Sequence, residues 1–156
     1  MVRRRLLIGT IGALALCAGR LVSSAYAAPP GCSDDEFYPR LWAMTDWKAI
    51  YSGFKRTVPI CGDEGTKAEG YSTVIVHAFA RDWKELLELQ NLLASDSEFR
   101  TFVFRHIDAT ANRTDLELTL ENANAQCPVG ASTLCKEIAA SESAAIKNYD
   151  KFWTAL

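Results

Sequence analysis

The chain has 156 residues, 17 of them basic and 19 acidic, and nearly half are hydrophobic. That is enough for one domain around one core. The slightly acidic balance offers no basic face of the kind that DNA, RNA or anionic lipid rewards, so nucleic acid is not expected as a partner.

Arg3, Arg4 and Arg5 stand before an apolar run from Leu6 to Ala18, broken only by small residues and Thr10. A more polar stretch, Arg20 to Ser24, leads into Ala25-Tyr26-Ala27. A positive start, a short apolar middle and a small-x-small end make up the pattern of a secretory signal. Residues 1–27 are therefore read as a signal peptide of bacterial type, cut between Ala27 and Ala28. The apolar run is about 13 residues, short of the roughly 20 that span a membrane, so no stable membrane insertion is expected once the signal is removed. Cys17 follows Leu14-Ala15-Leu16 as in a lipoprotein processing box, but Leu16 is not the small residue that box requires. The arginines also resemble a twin-arginine signal, with Val2 where Ser or Thr is usual. The expected location is periplasmic or secreted. Arg3, Arg4, Arg5 and Arg20 leave with the signal and no acidic residue does. The remaining 129 residues keep 13 basic against 19 acidic side chains, a net charge of −6.

Residues 28–44 read as an extended N-terminal segment. Ala28-Pro29-Pro30-Gly31 is a loose leader, Asp34, Asp35, Glu36, Phe37 and Tyr38 follow, and Pro39 interrupts any early helix. A helical domain is expected over 45–156. Thr45 or Asp46 caps a helix bearing Trp47, Ile50, Tyr51 and Phe54 at helical spacing, and Val58-Pro59 ends it. After the turn-rich Cys61-Gly62-Asp63-Glu64-Gly65, Thr66 to Glu69 reads as a capping box. It opens a helix along Tyr71, Val74, Ile75, Ala78 and Phe79; the β-branched run Ser72 to Val76 inside it is read as helix, not strand. Asp82 to Glu85 imitates the box and opens a helix along Leu86, Leu87, Leu89, Leu92 and Leu93. Ser95 to Glu98 is a third box, before Phe99, Phe102, Val103, Phe104 and Ile107. Asn112 or Thr114 caps the next helix, which ends near Cys127-Pro128. A last helix runs from about Ser132 toward Trp153, with a kink expected at Ser141-Glu142-Ser143. Short links turn successive helices into hairpins. The expected fold is all-α: a compact irregular bundle of about five to six helices in antiparallel hairpins, stapled by two disulfides.

The four cysteines beyond the signal are Cys32, Cys61, Cys127 and Cys135, and an even count in an exported chain points to disulfides. Of three pairings, Cys32–Cys61 and Cys127–Cys135 join neighbours in sequence. Chain entropy assigns about 2.6 kcal/mol to the short loop and roughly 3.6 kcal/mol to the longer one. The spacings are not those of zinc ribbons.

No catalytic or cofactor motif survives a check of its spacing. His77 and His106 lie 29 residues apart in predicted helices, without a His-x-x-x-His or Glu-x-x-His partner, and read as structural. Ser52-Gly53 lacks the first glycine of a nucleophile elbow, and Gly62 to Lys67 lacks the order of a phosphate loop. Asn112-Arg113-Thr114 fits a glycosylation sequon and reads as a cap. Trp42, Trp47, Trp83 and Trp153 read as core or core edge before they read as a binding platform. No metal or cofactor is expected, and the reading leans away from an enzyme. The architecture resembles, without a shared motif, the periplasmic immunity proteins that neutralise wall-degrading toxins. The expectation is an acidic helical protein that acts by protein binding, as an inhibitor or immunity protein for an envelope-directed toxin, with a basic protein as partner. The alternative is a cell-wall-acting hydrolase whose acid and base are unassigned carboxylates.

Overall fold

The computed structural model describes residues 28–154; residues 1–27, read above as a signal peptide and including Cys17 and Ala27, lie outside the described residues. Within them the chain forms seven α-helices and no strand: α1 (Asp34–Trp42), α2 (Trp47–Cys61), α3 (Thr66–Arg81), α4 (Leu86–Ser95), α5 (Ser97–Arg105), α6 (Arg113–Ala125) and α7 (Ser132–Thr154), with a 3₁₀ turn at Trp83–Glu85 before α4. None of these helices is long and apolar enough to cross a membrane.

The helix count exceeds the expected five to six because residues 34–42 are helical, not extended. Pro39 lies inside α1. In a nine-residue helix a proline at the sixth position forfeits one hydrogen bond, and burial of Phe37 and Leu41 against α3 outweighs that loss. Three acids in the first turn complement the helix dipole, and Glu36 accepts from the Ser33 hydroxyl at 2.7 Å and the Gly31 amide at 3.1 Å. The approach of α1 to α3 depends on Gly70: a Cβ there would lie 2.6 Å from Leu41 Cδ2. α2 also passes its proline, running through Pro59 to Cys61 and stopping at Gly62, whose φ of 69° suits the left-handed region.

The caps partly follow the sequence. Asp46 accepts from the Ala49 amide and Asn112 from those of Thr114 and Asp115. The other three boxes shift. α3 starts at Thr66 itself behind Gly65, Asp82 makes no capping bond, and Asp96 rather than Ser95 caps α5 through the amides of Glu98 and Phe99.

α3 is the central helix. Its buried residues run almost without a break from Gly70 to Ala80, which is why its sequence looks apolar on every side. The start of α2 meets the end of α3 through Trp47 and Phe79, with ring centres 4.7 Å apart, so these helices are antiparallel. Tyr71 near the start of α3 packs edge-on to Phe102 near the end of α5, at 5.1 Å. α6 and α7 are antiparallel: Arg113 opens α6 against Asp150 and Tyr149 near the end of α7, and Cys127–Cys135 joins their other ends. The second bridge, Cys32–Cys61, ties the entry of α1 to the end of α2. Both pairings are those expected from sequence, with Cα atoms 5.2 and 6.0 Å apart.

Candidate functional site

Each histidine of the chain sits at the centre of one polar cluster, and the two clusters differ in exposure. His106 follows α5 and is buried. Its Nδ1 lies 3.2 Å from Ser72 Oγ and its Nε2 3.3 Å from Asp63 Oδ2. Ser72 Oγ also lies within donating distance of Asp108 Oδ2, at 2.9 Å, and of the Ala68 carbonyl, at 3.1 Å. Arg105 pairs with the same Asp63 carboxylate. Burial, and then the Arg105 guanidinium, push His106 down to about 4, so the ring is neutral at pH 7, with one nitrogen donating and the other accepting.

A serine, a histidine and an aspartate in line have the composition of a nucleophilic triad, but not its arrangement. Serine is on Nδ1 and aspartate on Nε2, the reverse of the usual order. Ser72 has no exposed surface at all, and its hydroxyl returns to its own helix. A nucleophile must meet a carbonyl, and this one meets only protein. The cluster instead fastens the α2–α3 loop and the α5–α6 link to the central helix.

His77 lies one and a half turns further along α3 and faces out. Its Nδ1 is 2.9 Å from Asp115 Oδ2 on α6, and Arg81 stands 3.6 Å from the other oxygen. The ring is thereby oriented, and Nε2 is left as its free polar atom. Beside it opens a cleft of about 340 Å³. Trp42, Met44 and Thr45 from the α1–α2 corner form one wall; Thr73, Val74, His77 and Ala78 of α3, with Asp82 at its C-cap, form the other. Val74 and Ala78 are buried and give the cleft an apolar floor. Trp42 is 51% exposed, yet its ring is stacked on Tyr38 with centres 6.0 Å apart, and Tyr38 packs edge-on to the buried Phe37. The indole is thus anchored to the core while showing a face to solvent. Asp82 makes no side-chain hydrogen bond or ion pair among the described residues.

This is the candidate site, and sequence reasoning did not find it. Helical spacing places the tryptophans at the core or its edge; Trp47 and Trp83 are indeed buried, with the Trp83 indole N–H donating to the Gln126 carbonyl at 2.9 Å, whereas Trp42 is exposed. His77 read as structural is correct for Nδ1 alone. The cleft joins three segments that share no spacing, and the one usable signal was an aromatic at the last position before a break in the helical pattern. Of the site residues named from sequence, the four cysteines pair as expected, Ala28 opens the described segment as an exposed residue, and Ala27 is outside it. No three His, Cys, Asp or Glu side chains among the described residues form a group able to hold a metal ion. The sequence matches no family model, and comparison with curated proteins and with solved structures gives no significant match.

Proposed function

We propose that the mature chain is an exported protein that acts by binding another protein, and that the Trp42 cleft is where it does so. The observation that carries this reading is the exposed Trp42 ring, held by Tyr38 beside an apolar floor and ringed by polar side chains. Interfaces draw most of their energy from such rigid aromatic anchors enclosed by a polar rim. A net charge of −6 on residues 28–156 favours a basic partner. A binding role of this kind suits an inhibitor or immunity protein that meets a toxin outside the cytoplasm. The hydrolase alternative finds no specific support: the carboxyl most displaced in its acidity, Glu142, is raised to about 8 by burial and is sealed from solvent.

The test is a comparison between the mature chain and its Trp42→Ala variant. Envelope extract is cross-linked to each, the captured proteins are identified, and binding is repeated with the purified candidate. A loss of tenfold or more in affinity, with an unchanged melting temperature, supports the reading. Equal affinity of both proteins moves the contact off this cleft, and clearing of peptidoglycan in a zymogram by the chain alone overturns a binding role.

A further inference from the structure

We propose that the cleft is built to take a cationic side chain, an arginine of the partner by preference, seated between the Trp42 ring and the Asp82 carboxylate. This rests on the binding reading above and specifies the chemistry of what enters.

Four observations converge on a cation. The exposed face of Trp42 carries the negative side of an aromatic quadrupole and is held in place by Tyr38. Asp82 lines the same cleft and makes no side-chain hydrogen bond or ion pair with any described residue. Arg81, the adjacent residue and the natural candidate to neutralise it, is turned instead toward Asp115 on α6. Asp82 also caps the C-terminus of a 16-residue helix, where the summed peptide dipoles present their negative end. Beneath these groups the floor of Val74 and Ala78, with Met44 alongside, is apolar and suits the methylene stem of a long basic side chain.

The other occupants fit worse for definite reasons. An anion would meet Asp82 and the negative helix end together. A purely apolar side chain would cover Asp82 and leave a carboxylate desolvated without a partner, which is expensive. A guanidinium is planar, stacks on an indole and offers paired donors to a carboxylate; an ammonium does only part of this.

The experiment titrates the ¹⁵N-labelled mature chain with N-acetyl-L-argininamide. The Trp42 indole N–H and the amides of 73–82 are followed by NMR. Saturable shifts confined to those signals are expected. The neutral isostere N-acetyl-L-citrullinamide should bind at least fivefold more weakly, and the lysine analogue should fall between. Asp82→Asn should weaken the arginine probe at least fivefold without changing the melting temperature, because Asp82 makes no internal side-chain bond. Trp42→Ala should abolish the shifts. Equal binding of the citrulline probe, indifference to Asp82→Asn, or shifts scattered over the acidic surface would each overturn the proposal. The two readings fail separately. A purified protein partner that loses affinity in Trp42→Ala but not in Asp82→Asn leaves protein binding standing and removes the cation. Saturable arginine binding with no protein partner does the reverse.

Discussion

Glu142 sits in the middle of α7 with no exposed surface and neither carboxyl oxygen hydrogen-bonded. α6 and α7 are antiparallel, with Arg113 meeting Asp150 and Cys127 meeting Cys135, so Thr119 lies close to the level of Glu142. The Thr119 hydroxyl is buried and unpartnered too. Desolvation alone raises the Glu142 carboxyl to about 8, against 4.5 for an ordinary glutamate. A carboxyl raised on folding lets the native state hold a proton that the unfolded chain gives up. Stability is therefore undiminished below about pH 4.5, falls as pH rises from there toward 8, and levels off above it. At pH 7 the penalty is on the order of 3 kcal/mol. Glu142→Met keeps the volume and removes the titration. It should raise the melting temperature, and the gap over the parent should widen between pH 5 and pH 8 in parallel thermal melts. A gap that is the same at both pH values would show that the proton is not the cause. The sequence hid this residue because glutamate inside a serine-rich stretch of helix reads as surface, or as a kink. Only the packing of α7 shows that it points inward.

Among the elements, those with a strong apolar period were readable from sequence, and those decided by a single contact were not. α3 was legible even through its β-branched Ser72–Val76 run, because the apolar stripe continues to Phe79 on both sides of it. α1 was not, because Pro39 outweighed a real start signal, Ser33 followed three residues later by Glu36. The caps show the same limit: Ser95 and Asp96 are both good cap residues, and the sequence does not say which amides each will reach. The disulfides were legible because short loops close most readily. Cys127–Cys135 spans a corner in which the Ala131 amide bonds to the Pro128 carbonyl at 3.0 Å and Gly130 takes a φ of 91°. Beyond that corner the described side chains that α7 buries are Leu134, Cys135, Ile138, Glu142 and Ala145, and one of those is the unfavourable glutamate. The bridge should therefore matter more to α7 than to α3. Replacing Cys127 and Cys135 by Ser should cost about 2–3 kcal/mol by chain entropy, or roughly a hundredfold in amide protection. Hydrogen exchange should show that loss across 132–154 while 67–81 keeps its protection. A uniform loss over both helices would mean that α7 does not open independently.

At the scale of the whole molecule the two bridges clamp the two ends of the fold, and the central helix between them carries both histidine clusters. The buried cluster pins loops to that helix, and the exposed one borders the cleft. The site was illegible in the sequence for this reason: Trp42, His77, Asp82 and Asp115 become neighbours only after the end of α1 and the start of α6 have docked on either side of His77. Global charge and local cleft should then control different steps of association. Charges spread over the surface steer the encounter and are screened beyond about 10 Å at 0.1 M salt, whereas a ring seated in contact acts on dissociation. With the protein recovered by cross-linking and then purified, raising salt from about 0.05 to 0.5 M should slow association severalfold and leave the dissociation rate nearly unchanged. Trp42→Ala should do the opposite, speeding dissociation at either salt with little change in the association rate. Stopped-flow mixing separates the two rates. Association indifferent to salt would take the net charge of −6 on residues 28–156 out of the recognition and leave the cleft as its whole basis.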